Sequence, residues 1–244
     1  MSSNPIAAIA AMIKRIIPAI ATRGRILTML GFGFLPVVLG FFINRAQRDD
    51  PAAEEFEAAE LLAGFSLLIF VPLVVLVFAA ATLGTLREER TLVYFWLRPI
   101  GRWQISVAAL LSAWLVLIPL VVIPTGAFAL VVGEGSDLSG ILAAAIVGVI
   151  SYGAIFTVLG LVTQRSLVWG LVYVLVWEGF VGGLSETAGR FSIRNYTRSL
   201  LARIADVPLL DNPQSVTTVV IVTVGIAVVS LSLSTLILNR MDID

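Results

Sequence analysis

The feature that most constrains this chain is a series of long apolar stretches, each about as long as a helix that crosses a membrane. With a rise of about 1.5 Å per residue, a helix needs about 20 apolar residues to cross a hydrocarbon core of roughly 30 Å. Six stretches reach that length, at residues 26–44, 61–86, 105–132, 138–162, 167–184 and 216–238. We therefore expect one all-α integral membrane domain, residues 1–244, with six transmembrane helices.

Composition agrees with this expectation and excludes several kinds of chemistry. Charged residues make up 13% of the 244 residues, whereas a soluble domain carries about a quarter. The chain has no cysteine and no histidine, so it lacks the usual zinc ligands and the imidazole of a nucleophilic pair. No phosphate-binding loop surrounds the single lysine, Lys14. A balance of 16 basic and 16 acidic residues gives no basic field for nucleic acid. We expect no metal site, no catalysis and no nucleic-acid partner.

The distribution of basic residues favours an orientation with both chain termini in the cytoplasm. If the N-terminus is inside, the inner segments hold ten basic residues and the outer segments six, together with eleven of the sixteen acids. Because cytoplasmic loops carry the excess of lysine and arginine, this arrangement is preferred. We expect a multi-pass protein of the cytoplasmic membrane, in contact with membrane lipids.

The segment before the first span, residues 1–25, has the pattern of an amphipathic helix. Isoleucines recur at spacings of three and four, away from Lys14 and Arg15. They are Ile6, Ile9, Ile13, Ile16 or Ile17, and Ile20. This pattern predicts an elbow helix in the inner interface, and a simple topogenic anchor is the alternative.

A second amphipathic segment, residues 185–215, separates the fifth and sixth spans. Arg190, Arg194 and Arg198 recur at a spacing of four, opposite an apolar face. We expect an outer amphipathic helix whose arginines extend to lipid headgroups. A plain surface helix without a role in transport is the alternative. The acidic run at residues 44–60 is expected to be a solvated outer loop.

The connection between the second and third spans, residues 87–104, is unusual for its content. Its sequence from 87 to 105 is REERTLVYFWLRPIGRWQI, with an apolar run at 92–97 that is too short to cross a membrane. Arg98 precedes proline, which disfavours helix at that residue. The pattern predicts a short helix over residues 91–98, flanked by charges.

This short helix would present Leu92, Phe95 and Trp96 on one side. Two interpretations follow from these residue types: an anchor in the membrane interface, or a helix that contacts a cytoplasmic partner. Aromatic and arginine side chains favour the headgroup layer, where Trp103 also fits, and this supports the anchor. The same residue types are enriched in protein interfaces.

The connection closely resembles the cytoplasmic loop between the second and third spans of ABC-2 type permeases, the membrane subunits of a class of ABC transporters. Those loops have charged residues, Thr-Leu, a short apolar run, Arg-Pro with a β-branched residue, and a further arginine. The matching residues here are Glu88, Glu89, Arg90, Thr91, Leu92, Arg98, Pro99, Ile100 and Arg102. Arg90 departs from the pattern, because many members have glycine there. The stretch LVYVLVWEGFVGGL at 171–184 also looks like the fifth-span region of one branch of the family.

The resemblance implies an export pathway formed with a second copy or a sister permease. ATP and Mg would be bound by separate cytoplasmic ABC ATPase subunits, and this chain would bind no cofactor. It also implies that residues 91–98 form a coupling helix in a cleft of each ATPase. The residues assigned to this contact are Glu88, Glu89, Arg90, Thr91, Leu92, Phe95, Trp96, Arg98, Pro99 and Arg102.

Glu178 is the one acidic residue inside a predicted span. An ionisable group at that depth is costly and usually faces a bundle interior or an aqueous cavity. With Trp177 and Gly182, it is our candidate for the transport path or gate. A pair with Arg190 or Arg194, or a structural carboxylate bonded to backbone or serine, are the other interpretations.

Two other function classes remain as alternatives. An ion- or proton-coupled carrier using Glu178 is the first, although such carriers usually show more intramembrane acids and an inverted repeat. A membrane enzyme acting on lipid is the second, and the composition disfavours it.

Overall fold

The computed structural model of the chain describes residues 5–46, 60, 62–88, 101–132, 138–182 and 189–240, which contain helices and no strands. The first helices are α1 (Pro5–Ile20), α2 (Arg23–Ala46) and α3, a π-helical turn Leu62–Phe70 that continues as an α-helix Val71–Glu88. The central pair is α4 (Arg102–Val132) and α5 (Leu138–Val162). The remaining helices are α6, an α-helix Ser166–Val172 that continues as a π-helix Tyr173–Val181, then α7 (Ile193–Ala205) and α8 (Val216–Arg240).

Five of these helices are long and apolar enough to cross a membrane, which confirms the expected class of helical membrane protein. They correspond to the predicted spans one, two, three, four and six: Arg23–Phe42, Ala63–Gly84, Arg102–Val132, Leu138–Val162 and Val216–Arg240. The predicted fifth span, 167–184, is the shorter apolar helix α6, Ser166–Val181. A helix of that length rises roughly 24 Å, less than a full hydrocarbon core. The count of six spans therefore stays a prediction.

The centre of the fold is α5, which packs against α3, α4, α7 and α8. Where α5 meets its neighbours it carries small residues such as glycine, which let helix backbones approach closely. The closest approach is to α3, where a Cβ placed on Gly160 would overlap the carbonyl of Ala80. Towards α7, a Cβ on Gly140 would lie 3.0 Å from Leu201 Cδ1.

Gly160 should therefore tolerate no side chain. We expect Gly160→Ala to lower the free energy of unfolding by about 1–3 kcal/mol, the usual cost of overpacking, because the backbones of α3 and α5 must separate. Gly225→Ala is the matched control, since Gly225 on α8 has open space around its Cα. Thermal unfolding of the purified variants measures both, and equal unfolding temperatures for the two variants would contradict this account of the α3–α5 contact.

One end of the bundle contains α1 and is called the α1 end. Three residues of the apolar face of α1, Met12, Ile16 and Ile20, are buried in a cluster with Leu83 of α3, Ile105 of α4, Leu161 of α5 and Leu238 of α8. The Arg102 guanidinium also donates to the Leu238 carbonyl at 2.5 Å. The predicted amphipathic helix at the N-terminus is confirmed, and its apolar face packs against protein. Its placement in the membrane interface stays a prediction.

The opposite end contains α7 and is called the α7 end. Here α3 begins, α4 ends and α5 begins. Large apolar side chains are exposed along α2, α6 and α8, such as Val38, Leu175 and Val228. A surface of this kind is expected where helices face lipid.

Candidate functional site

Glu178 is fully buried and lies in the π-helical part of α6. Four donors surround its carboxylate. Oε1 accepts from the Tyr173 hydroxyl at 2.9 Å and from the Ile193 amide at 3.0 Å. Oε2 accepts from the Ser192 hydroxyl at 2.6 Å and from the Arg194 amide at 3.0 Å. A buried carboxylate with this many donors is well satisfied.

The carboxylate caps the start of α7 from a different helix. Ile193 and Arg194 are the first two residues of α7, so their amides have no acceptor within the helix. Ser192 occupies the N-cap with extended backbone angles, and its Oγ accepts from the Asn195 amide at 3.4 Å. A negative charge at this position also interacts favourably with the positive end of the helix dipole. Glu178 and Ser192 together satisfy the first amides of α7.

Of the interpretations proposed for Glu178, the geometry agrees best with a structural carboxylate. A direct ion pair with an outer arginine is not formed among the described residues. Arg194 instead donates from Nη1 to the backbone carbonyl of Glu178 at 3.4 Å. A role in a transport path is not tested by these contacts.

Aromatic residues hold the Glu178 end of α6 against α5. The rings of Tyr152 and Phe156 stack with centroids 5.8 Å apart, and Phe156 meets Tyr173 edge to face at 6.1 Å. Because Tyr173 also bonds to Glu178, these rings connect α5, α6 and the start of α7. Edge-to-face and offset rings each add roughly 0.5–1.5 kcal/mol beyond the area they bury.

The two other residues assigned to the path or gate lie at the same junction. Trp177 Nε1 donates to the Phe191 carbonyl at 3.4 Å. A Cβ on Gly182 would lie 3.1 Å from the Ser192 side chain, so the end of α6 passes close to the residue before α7. We call this site, formed by residues 173–182 and 189–194, the α6–α7 junction.

The three arginines predicted to face headgroups have different surroundings. Arg190 is exposed. Arg194 is half-buried, and burial together with the charge of Arg198 lowers its pKa. Arg198 pairs with Glu60 at 3.1 Å and donates to the Leu209 carbonyl at 3.4 Å. All three line one cavity of about 450 Å³.

The amphipathic pattern of α7 is confirmed, but its apolar face packs against protein. Buried residues of α7 include Ile193, Leu200 and Leu201, and Leu201 lies against Gly140 of α5. A left-handed residue, Asp206 with φ 57°, ends the helix. All three arginines of α7, Arg194, Arg198 and Arg203, thus bond to the protein itself.

Sequence reasoning missed three members of the site: Tyr173, Ser192 and Glu60. Ser192 carried a signal, because serine before an amphipathic pattern is a common N-cap. Glu60 was assigned to the solvated acidic run, and its pairing with Arg198 joins positions far apart in the sequence. No local pattern indicates such a contact.

Most of the predicted coupling segment lies outside the described residues. This applies to Glu89, Arg90, Thr91, Leu92, Phe95, Trp96, Arg98 and Pro99. Glu88 is the last residue of α3 and Arg102 the first of α4. Both flank the segment at the α1 end.

No protein-family description and no curated protein matches this sequence. Within the described ranges, no three acidic, histidine or cysteine side chains gather as metal ligands would.

Proposed function

We propose that this chain is the transmembrane permease subunit of an ABC-2 type transporter. It forms an export pathway with a second copy or a sister permease, and separate cytoplasmic ATPase subunits supply the energy of ATP hydrolysis. The observation that carries the proposal is the ABC-2-like pattern at residues 88–102, which connects α3 to α4 at the α1 end. The sequence contains no phosphate-binding loop, so the proposal assigns the nucleotide site to a partner subunit.

The packing around this connection is suited to transmitting a movement. Leu83 lies five residues before Glu88, Ile105 lies three residues after Arg102, and both are buried against α1. Arg102 also bonds to the end of α8. Because packed interiors deform little, a displacement of the connection would move α1, α3, α4 and α8 together.

The orientation that follows has the α1 end in the cytoplasm and the α7 end outside. In this arrangement α6 is the fifth of six spans, and Glu178 joins its last part to the start of α7. The excess of basic residues on the cytoplasmic side supports this orientation.

A proton-coupled carrier has less support from the Glu178 site. Its two carboxylate oxygens accept from four donors, two of which are backbone amides of α7. A carboxylate engaged in this way holds α6 against the start of α7. These contacts support a structural role for Glu178 over proton transport.

The orientation can be tested with single cysteines, because the natural chain has none. Gln164 and Asn212 are exposed and lie on either side of α6 and α7. With a membrane-impermeant maleimide on intact cells, we expect Asn212→Cys to be labelled and Gln164→Cys to be labelled only after permeabilisation. Labelling of both from one side would show that α6 does not cross, and the opposite result would reverse the orientation.

The proposed function itself is tested by affinity purification of the tagged chain from its native membrane in a mild detergent. We expect a soluble ATPase subunit to co-purify and to hydrolyse ATP. A preparation that transports its substrate in vesicles under a pH gradient, without ATP and without an ATPase subunit, would contradict the proposal and favour the carrier.

A further inference from the structure

The cavity at the α7 end has features that the capping of α7 does not explain. Its volume is about 450 Å³, and it lies between the first half of α7 and the segment that leads to α8. Polar side chains dominate its wall. They include three arginines and three amides, Arg190, Arg194, Arg198, Asn195, Asn212 and Gln214, together with Ser192 and Asp211.

The three arginines bring their charges close together. Arg194 and Arg198 are four residues apart on α7, which corresponds to about 6 Å along the helix axis. Arg190 lies in the turn before the helix and lines the same cavity. Like charges at this spacing repel each other. An arrangement of this kind is unfavourable unless negative charge compensates it.

The carboxylates near the cavity compensate only part of this charge. Glu60 pairs with Arg198 from a half-exposed position, and both oxygens of Glu178 are already engaged by four donors. Asp211 lines the cavity. Among the described residues, Arg190 and Arg194 have no carboxylate oxygen within 4.0 Å. The lowered pKa of Arg194, caused by burial and by Arg198, agrees with incomplete compensation.

Hydrogen bonding indicates the same deficit. The Nε atoms of Arg194 and Arg198 are buried, and neither has an acceptor among the described residues. Buried donors without an acceptor are rare in proteins. Both guanidinium groups are therefore incompletely bonded within the described residues, which agrees with the incomplete compensation of their charge.

We propose that this cavity binds a phosphate-bearing anion between Arg190, Arg194 and Arg198. The planar guanidinium group matches the oxygens of phosphate with paired, charge-assisted hydrogen bonds. The side-chain amides of Asn195, Asn212 and Gln214 offer further donors.

The surroundings favour the phosphodiester of an anionic lipid headgroup. Phe180 and Phe191, next to the cavity in sequence, are both exposed, and exposed aromatic side chains are suited to acyl chains and the interface. A soluble phosphate anion shares the same chemistry and is the other source to distinguish.

The test uses the purified chain in a neutral detergent and measures binding by thermal unfolding and by tryptophan fluorescence, since Trp177 belongs to the α6–α7 junction, which lines part of the cavity through Gly182 and Ser192. Phosphatidylglycerol is titrated against phosphatidylcholine, and inorganic phosphate is titrated against chloride at the same ionic strength. We expect saturable binding of phosphatidylglycerol. In the double variant Arg190→Gln/Arg194→Gln, the apparent affinity should fall about tenfold or more.

Arg203→Gln is the matched control on the same helix. The Arg203 guanidinium donates to the carbonyls of Pro213 and Gln214, and Arg203 does not line the cavity. Its removal should leave the affinity unchanged. The single variant Arg190→Gln keeps the test valid if the double variant does not fold, because the Arg190 side chain is exposed.

The outcomes separate the two sources. Binding of phosphatidylglycerol without inorganic phosphate supports a lipid headgroup, and binding of inorganic phosphate supports a soluble anion in the same cavity. Absence of both, or an equal loss in Arg203→Gln, would overturn the proposal. None of these results depends on an ATPase partner, so they are independent of the proposed transport function.

Discussion

Replacement of Glu178 by alanine is expected to lower the free energy of unfolding by about 3–5 kcal/mol, the usual cost of removing one side of a buried charged network. The change leaves the Tyr173 and Ser192 hydroxyls and the amides of Ile193 and Arg194 without their acceptor. Thermal unfolding of the purified protein measures the global effect. Hydrogen exchange at the Ile193 and Arg194 amides measures the local one, and we expect it to become faster because the start of α7 opens.

Graded variants separate the carboxylate from its surroundings. Glu178→Gln keeps the size and one acceptor oxygen but directs an NH₂ group at a donor, so its loss should lie between that of alanine and wild type. Ser192→Ala removes the N-cap and should cost about 1 kcal/mol. Glu60→Gln is the control, since its pair with Arg198 is half-exposed and is worth about 0–1 kcal/mol.

A Glu178→Gln variant with wild-type stability and wild-type exchange at α7 would contradict the capping role. If that variant were stable but lost transport, Glu178 would instead belong to the path. The capping role therefore predicts a loss of stability in Glu178→Gln, whereas a role in the transport path predicts a loss of transport at wild-type stability.

The second large effect is expected in the connection between α3 and α4. If the proposed coupling helix exists, replacing Phe95, Trp96 and Arg98 together by alanine is expected to weaken the contact with an ATPase subunit by at least about 100-fold. Aromatic and arginine residues at the centre of an interface commonly cost 2 kcal/mol or more each, and about 1.4 kcal/mol corresponds to a factor of ten. Co-purification of the ATPase and ATP-dependent export should both be lost.

Trp103→Ala is the control for this variant. Trp103 is half-exposed at the start of α4 and fits a headgroup anchor, so its loss should leave ATPase binding intact. Unfolding temperatures of both variants must match wild type, which shows that the bundle itself is unchanged. Full retention of the ATPase by the triple variant would show that the coupling assignment is wrong.

The membrane class and most of the helices were accessible from sequence because they depend on composition and period. Long apolar runs predict spans in the absence of any contact information, and five of them are helices of sufficient length. The spacing of isoleucine in α1 and of arginine in α7 predicted two amphipathic helices. Both predictions rest on the helical period of 3.6 residues.

What covers an apolar face could not be predicted. The pattern in α7 suggested a helix on the lipid surface, yet Leu200 and Leu201 are buried, and Leu201 packs against α5. Lipid and protein interiors are equally apolar, so the same sequence pattern suits both. The predicted fifth span, 167–184, corresponds to α6 up to Gly182, and its last two residues lie outside the described residues.

The contacts of Glu178 and Glu60 could not be predicted from local sequence patterns, because their partners lie far away in the chain. Glu178 reaches the first amides of a helix that begins fifteen residues later, and Glu60 reaches Arg198 across 138 positions. Such pairs depend on how helices are arranged around α5. The π-helical turns in α3 and α6 likewise carry no sequence signal that we could identify.

The proposed contact between residues 91–98 and an ATPase subunit is tested most directly by a crosslink from inside that segment. A photoreactive phenylalanine analogue at position 95, in the otherwise unchanged chain in its native membrane, is expected to crosslink to a soluble ATPase subunit, with the same analogue at position 103 as the control. Crosslinking from position 95 to lipid alone, as expected from position 103, would contradict the claim and assign the segment to the headgroup layer.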